Sequence, residues 1–131
     1  MPTGFNQDYA HENTDMKLAN IVNQLKLDRM TPELSNEDIE VSGGYISDLL
    51  SDVMANAPRG GVLVTIQAHL NVIAVAVHAE LVGVVFAAGR RPEDAVRRKA
   101  VEEGVRLYTT GASAFDVAGR LYEMGLRGPQ P

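Results

Sequence analysis

The chain of 131 residues contains no cysteine, no tryptophan and few other aromatic residues, namely four tyrosines and three phenylalanines. Without cysteine the protein cannot form a disulfide, a thiolate nucleophile, an iron–sulfur ligand or a cysteine-bound zinc site. This absence fits a reducing cytoplasm, where we expect the protein to reside. The few aromatic side chains argue against a stacking surface for single-stranded nucleic acid.

The chain also lacks an excess of positive charge and a long hydrophobic run. Its formal net charge is −5, which argues against binding to a nucleic acid backbone, and we predict no nucleic acid partner. The longest apolar run covers residues 72–77 and is far too short to span a bilayer. The N-terminus has no charged start followed by an apolar run, so we predict neither a signal peptide nor a membrane partner.

The composition that remains is typical of one folded domain. Hydrophobic residues make up 45% of the chain and charged residues 22%, and the length is sufficient for a single core. Residues 1–13 are polar and without periodicity, so we predict a disordered leader there. We expect a single domain over residues 14–126 and a frayed tail over residues 127–131.

Apolar residues at helical spacing alternate along the chain with short β-branched runs. Thr14 is the predicted N-cap of the first helix, and Ser113 with Asp116 forms the capping start of the last. The predicted helices cover residues 15–26, 45–57, 69–79, 92–103 and 114–124. The predicted strands cover residues 39–41, 62–66, 81–86 and 105–108. This order predicts an α/β layered domain, with a mostly parallel sheet flanked by helices.

The segment over residues 69–79 is ambiguous, because its β-branched content favours a strand and its length favours a helix. A buried strand over residues 81–86 follows it directly. We predict a helix, since a strand–helix–strand order then forms a parallel crossover.

Three stretches carry a resemblance to a known family. They are the sequence Glu-Val-Ser-Gly-Gly at residues 40–44, the long segment at residues 45–57, and residues 65–72. With the turn at Gly89-Arg90, they resemble the DRTGG domain over residues 16–126. Glu, Val and Ser stand here in place of the Asp, Arg and Thr of the name motif, and the loss of the Arg removes an anion contact.

The resemblance implies a fold, a role and partners. The DRTGG family is similar in fold to the N-terminal domain of HPr kinase, and it occurs beside CBS domains in regulated pyrophosphatases and within phosphotransacetylases. In those contexts it is a regulatory and dimerising module, and some short members accompany iron-only hydrogenase components. The chain contains no G-x-x-x-x-G-K-[ST] phosphate loop, so it is not a kinase of the HPr kinase type.

The first candidate site is the glycine break at Ser42, Gly43 and Gly44, placed before the predicted helix at residues 45–57. Backbone N–H groups at a helix N-terminus favour an anion, and glycines let a ligand approach closely. The alternative is a tight strand-to-helix turn that the Ser42 hydroxyl caps.

The second candidate is a polar stripe of Asp48, Asp52 and Asn56, which lie four residues apart on one face of that helix. Two carboxylates could hold a hard cation such as Mg²⁺. They could instead meet the basic cluster of a second subunit, which consists of residues 90–91 and 97–99. The alternative is a solvated helix face. We predict no metal and no cofactor.

The third candidate lies where buried strands end. Gln67, His69 and Asn71 follow one predicted strand, and Arg90 and Arg91 follow the next. Ligands of open α/β sheets bind beyond the carboxyl ends of strands, and a guanidinium can clamp a phosphate or carboxylate. His69 could instead cap a helix, and the two arginines could be ordinary surface residues.

These observations predict a non-catalytic regulatory, ligand-binding and dimerisation module that senses a small anionic ligand such as a nucleotide. We expect the glycine break and the polar strand ends to share one pocket. The helix over residues 45–54 would provide the homodimer surface. The alternative is a structural adaptor that docks onto a larger enzyme, such as a hydrogenase-type redox complex. A phosphotransferase or hydrolase that uses Asp48 or His69 is the third hypothesis.

Overall fold

A five-stranded sheet lies between two layers of helices in the computed structural model, which describes residues 16–131. The predicted leader and the Thr14 cap lie outside the described residues. The helices are α1 (Leu18–Leu25), α2 (Leu50–Asn56), α3 (Asn71–His78), α4 (Asp94–Glu103) and α5 (Ala114–Glu123). The strands are β1 (Asp28–Arg29), β2 (Gly44–Ile46), β3 (Val62–Thr65), β4 (Gly83–Phe86) and β5 (Leu107–Thr109).

The sheet is mostly parallel, with the strand order β1-β5-β4-β3-β2. Each neighbouring pair from β2 to β5 is parallel, and only β1 pairs antiparallel, with β5. One helix connects each parallel strand to the next: α2, α3 and α4 in turn. The predicted fold class is therefore confirmed, and α3 confirms the helix predicted for the ambiguous segment.

Two apolar cores, one on each face of the sheet, hold the layers together. Val62 and Val64 pack with residues of α1 and α5, whereas Leu63 packs with residues of α2, α3 and α4. All four residues of β3 are buried, as the β-branched run predicts. Full burial of each such side chain contributes about 1.5–3 kcal/mol, so the central strands stabilise both layers at once.

The predicted strand at residues 39–41 and the predicted helix start at Tyr45 are wrong. Residues 39–41 contribute only an isolated bridge between Glu40 and Lys17. Strand β2 contains Tyr45 and Ile46, and α2 begins only at Leu50. The reason is that Tyr45 and Ile46 pair with β3, whose backbone groups would otherwise stay unpaired at that edge. Aromatic and β-branched residues also favour a strand.

The sequence analysis missed the edge strand β1. Asp28 pairs with Thr109 and Arg29 pairs with Tyr108. The strand has two exposed, charged residues, so it carries no alternation of apolar and polar side chains from which a strand is predicted. Within residues 16–131, no helix is long and apolar enough to cross a bilayer.

Candidate functional site

A cavity of about 620 Å³ lies at the carboxyl edge of the sheet, between the loops that follow β3 and β4. The structure brings together here four of the five residues of the third candidate, all except Asn71. The residues that line the cavity include five polar side chains and one leucine: Gln67, His69, Arg90, Arg91, Glu93 and Leu70. The loop ends of neighbouring parallel strands meet at this edge, which is why the sequence could predict the location.

The end of β3 is held by a carboxylate from the neighbouring loop. Asp48 Oδ1 accepts a hydrogen bond from the Thr65 hydroxyl at 2.9 Å and another from the Ile66 N–H at 2.9 Å. The Thr65 hydroxyl in turn accepts from the Gln67 N–H at 3.1 Å. These bonds fix the backbone that leads to His69, so the loop is positioned before any ligand binds.

The loop after β4 is held just as firmly and has an unusual backbone. Ala88 has φ 57° and Gly89 has φ 73°, so two successive residues adopt the left-handed conformation. This conformation costs an alanine about 1–2 kcal/mol. The Ala88 N–H donates to the Ala112 carbonyl at 2.7 Å, and the Gly89 N–H donates to the Thr110 carbonyl at 2.9 Å. The loop therefore presents Arg90 from a fixed position, and such strained residues cluster at functional sites.

The two arginines of the cavity differ in their partners. The Arg91 guanidinium donates to the Thr109 hydroxyl at 3.2 Å and contacts the Met30 sulfur at 3.4 Å. Arg90 forms no salt bridge with any carboxylate of residues 16–131. Arg97, further along α4, pairs with Glu33 at 2.9 Å. Arg90 is thus a cation at the cavity whose hydrogen-bond donors are open to a ligand.

Helices α3 and α4 both begin at this cavity. The residue before each helix, Leu70 and Glu93 respectively, forms no side-chain capping bond. First-turn N–H groups without a capping side chain carry partial positive charge, which favours an anion. The Val72 and Ile73 N–H groups donate to the His69 and Leu70 carbonyls, each at 3.1 Å, and the Glu93 and Asp94 carboxylates offset the positive end of α4. The two arginines are therefore the main positive groups of the cavity.

Asn71 is the predicted residue of this group that the cavity does not contain. It is the first residue of α3 and lines a separate groove between α3 and α4. The sequence placed it correctly near the strand end, but the helical turn carries its side chain past the cavity.

Ser42, Gly43 and Gly44 lie at the opposite edge of the sheet, so the prediction of one shared pocket is wrong. Gly44 pairs with Val62 at the start of β3, and the start of a parallel strand is the amino edge. The N–H groups of Ser42 and Gly44 donate to the carbonyls of Gly60 and Arg127, each at 3.0 Å. They are therefore not open to an anion.

The glycines at this edge allow close backbone contacts. A Cβ on Gly43 would lie 2.9 Å from the Arg127 carbonyl oxygen, and one on Gly44 would lie 3.1 Å from the Leu126 side chain. The Arg127 guanidinium stacks on the Tyr122 ring at 3.6 Å. Arg127, predicted as part of the frayed tail, is therefore packed against the domain.

Asp48, Asp52 and Asn56 do not form the predicted stripe, because Asp48 precedes α2. Asp52 accepts from the Tyr45 hydroxyl at 2.8 Å and from the Asn56 amide at 2.9 Å. Hydrogen bonds from Asn56 and then Tyr45 lower the pKa of the Asp52 carboxyl. Among residues 16–131, no group of three or more His, Asp or Glu side chains lies close enough to hold a metal ion.

No family model and no curated protein matches this chain. A solved structure does: the CBS and DRTGG domains of the regulatory region of Clostridium perfringens pyrophosphatase, complexed with the activator diadenosine tetraphosphate. The two chains are 15% identical, with a TM-score of 0.67 over 97% of this chain. The chain has a DRTGG-like fold. It spans about half of the matched regulatory region, 54% of that chain.

Sequence reasoning missed Glu93 as a residue of the candidate site. It follows Pro92 at the start of the predicted helix over residues 92–103, where an acidic residue is ordinary because it offsets the positive helix end. The DRTGG-like fold brings that turn beside the loop after β3, so Glu93 lines the same cavity as His69. The signal that could have found it is the meeting of both helix starts at one sheet edge.

Proposed function

We propose that the protein is a non-catalytic regulatory module that binds a small anionic ligand of the nucleotide class in the carboxyl-edge cavity. The observation that carries the proposal is Arg90, a cation without a carboxylate partner among residues 16–131, beside Arg91 and His69. The uncapped starts of α3 and α4 lie at the same cavity. A phosphate group is the ligand that such donors bind best.

The cavity also contains a hydrogen-bond acceptor, which narrows the class of ligand that it can bind. Glu93 lines the cavity with the arginines, and a carboxylate accepts hydrogen bonds from a ribose hydroxyl or a base amine. A volume of about 620 Å³ lies within the range of small-molecule sites. The structural neighbour is complexed with a nucleotide activator, which supports the same class. Because this chain matches about half of that region, the support for the location comes from the cavity itself.

Binding explains the site better than the phosphotransferase or hydrolase hypothesis does. Oδ1 of Asp48, the residue proposed as a catalytic group, accepts two hydrogen bonds that hold the end of β3. Asp48 also does not line the cavity, whereas a general base must lie within hydrogen-bond reach of the proton that it removes. The two donors instead give Asp48 a positioning role.

The test is thermal unfolding against a panel of mono- and dinucleotides, with a variant and a matched control. A ligand at a hundred times its dissociation constant should stabilise the wild type by about 2.7 kcal/mol. Arg90→Gln should weaken binding about 10- to 100-fold, because one charge-assisted hydrogen bond contributes about 1.5–3 kcal/mol.

The matched control is Arg59→Gln, which removes the same charge from the amino edge, where Arg59 pairs with Glu80 at 2.8 Å. It should leave binding unchanged. Equal losses in both variants would mean that only net charge matters, and no shift with any nucleotide would refute the ligand class.

Homodimerisation belongs to the proposal, and the stretch over residues 45–54 that was predicted to provide its surface has three exposed apolar side chains, Ile46, Leu49 and Met54. The apolar stripe over residues 45–54 is not one helix, since α2 begins at Leu50. The adaptor for a larger enzyme and the cytoplasmic location stay predictions. Exposed apolar residues such as Val77 favour a protein partner of some kind. Co-purification with an enzyme, and no nucleotide shift, would support the adaptor.

A further inference from the structure

The outer face of helix α3 carries apolar residues between two polar ones, Asn71 at its start and His78 at its end. Its inner residues Val72, Ile73, Val75 and Ala76 are buried in the core. On the outside, Ala74 is exposed, and Leu70 and Val77 at its two ends are 54% and 45% exposed. The helix carries no charged residue before His78. Leu70, Ala74 and Val77 follow one another at helical spacing, so they form one exposed apolar stripe between these polar ends, and such a stripe marks an interaction surface.

The outer face of α3 forms one wall of a groove of about 710 Å³, and α4 forms the other. The apolar lining consists of Leu70, Ile73, Ala74 and Val77. Lys99 and Glu103, one helical turn apart on α4, line the same groove. Asn71 and His78 complete the lining, so the groove combines an apolar floor with polar ends, one cation and one anion.

We propose that a second copy of this chain covers the groove, with the two α3 helices packed across a twofold axis. This inference rests on the dimerisation in the proposed function and names the surface that it uses. A twofold interface brings residue i against residue j and residue j against residue i. Lys99 of each copy then meets Glu103 of the other, so the groove is complementary to itself in charge.

Lys99 can exchange its partners within its own chain for Glu103 of the second copy. It lies 3.4 Å from Glu102 and 3.3 Å from Glu103 within its own chain, and all three side chains are at least 40% exposed. Exposed ion pairs of this kind contribute little to stability, so Lys99 can turn to Glu103 of the second copy at a small cost in free energy. The apolar floor provides the affinity, and the charges select the register.

The exposed aromatic residues of α5 fit a self-complementary interface less well than the α3 groove does. Phe115 and Tyr122 lie on α5, in the opposite helix layer. The Arg127 guanidinium already covers the Tyr122 ring. Helix α5 also carries Asp116 and Arg120 among its exposed residues, as a solvated helix does.

Two charge-reversal variants test the surface. Sedimentation velocity over a concentration series measures the dissociation constant of the dimer. The wild type should dimerise. Lys99→Glu and Glu103→Lys should each weaken the dimer by at least about tenfold, because each variant alone places like charges opposite each other twice. An equimolar mixture of the two variants should form heterodimers of nearly wild-type affinity, since both contacts become attractive again.

A second pair of variants tests the apolar floor. Val77→Glu should weaken the dimer about 100-fold or more, because it buries an unpaired charge. Phe115→Glu is the matched control, at a residue that is 85% exposed on the other layer, and it should leave the dimer unchanged. Circular dichroism melting of each variant shows whether the fold is intact.

The outcomes separate this inference from the proposed function. A dimer that resists Val77→Glu and the charge variants but is broken by Phe115→Glu would overturn the α3 surface and keep dimerisation. A wild type that stays monomeric at its highest soluble concentration would refute both the α3 surface and dimerisation itself. Nucleotide binding is measured separately by thermal shift, so neither result by itself refutes the ligand.

Discussion

The hydrogen-bonded group of Tyr45, Asp52 and Asn56 joins the edge strand to α2, and its chemistry depends on pH. The hydrogen bond to Asp52 raises the pKa of Tyr45 above its ordinary value of 10.0. Bonds from Asn56 and Tyr45 lower the pKa of Asp52 below its ordinary value of 3.8. The Asp52 contribution to stability is therefore present above pH 3.8 and is lost as pH falls through the lowered folded value. The Tyr45 contribution is present below pH 10.0 and is lost as pH rises through the raised value.

Removal of either hydrogen-bond donor to Asp52 should raise the pKa of its carboxyl. We expect Asn56→Ala and Tyr45→Phe each to raise the pKa of Asp52 toward 3.8, with the larger effect from Asn56, whose bond is the main cause of the shift. NMR titration of the Asp52 carboxyl carbon measures this directly. Tyr122→Phe is the control, because it removes a hydroxyl from α5, which lies in the helix layer opposite to that of Asp52. An Asp52 pKa that is the same in Tyr45→Phe as in the wild type would contradict the bond.

Single residues show where sequence reasoning reaches its limit. The sequence identified Asp48 and Asp52 as a notable pair and expected one shared face. Asp48 instead binds Thr65 and Ile66, 17 and 18 residues further along the chain. Its partners depend on the pairing of β2 with β3, which no local spacing encodes. The residue types were predictable, and their contacts were not.

At the scale of elements, the glycines of the amino edge decide how the chain end packs. Gly43 lies against the Arg127 carbonyl, and Gly61 lies against Pro58 and the Gly43 carbonyl. These contacts are tighter than a Cβ would permit. The pair Gly43-Gly44, which the sequence suggested as a ligand loop, therefore has a packing role that brings the C-terminal residues beside β2.

Two glycine substitutions should change stability in opposite directions. Gly43→Ala should destabilise the protein by about 1–3 kcal/mol, because the added methyl meets backbone that cannot easily move. Gly119→Ala should stabilise it by about 0.5–1 kcal/mol, because Gly119 lies inside α5 and a Cβ there meets nothing within 4 Å. Urea denaturation measures both. A Gly43→Ala protein as stable as the wild type would mean that the backbone at Arg127 moves aside for the added methyl at no cost in stability.

The elements differ in how well the sequence predicts them. Strand β3 and helix α5 were predictable, because burial on both faces and the Ser113 cap leave strong local signals, and the Asp116 N–H indeed donates to the Ser113 hydroxyl at 3.1 Å. Strand β2 was not, because its apolar residues also fit helical spacing. Pairing with β3 overrides that local preference.

At the scale of the whole molecule, the candidate site is built from parts that meet only in the fold. The sequence predicted Gln67, His69 and Arg90 at one edge, since parallel strands end together. It could not predict that the glycine break lies at the other edge, because that depends on where β2 begins. Nor could it predict that Leu70 lines both the cavity and the α3 groove.

That shared leucine leads to a prediction about regulation. A nucleotide in the cavity would contact Leu70 at the start of α3, and a second subunit would contact it along the groove. We therefore expect a nucleotide that binds to change the dissociation constant of the dimer by about fivefold or more, in the range typical of coupled sites. Sedimentation velocity with and without the nucleotide measures the change.

The coupling must be reciprocal, which provides a strict check. The dimer should bind the nucleotide more tightly or more weakly than the monomeric Val77→Glu variant by the same factor by which the nucleotide shifts dimerisation. Leu70→Ala should reduce that factor toward one. Leu49→Ala, at a leucine that is 65% exposed and lines neither the cavity nor the groove, should preserve it. If the dimer dissociation constant is the same with and without bound nucleotide, Leu70 does not connect the two sites, and the cavity and the groove act independently.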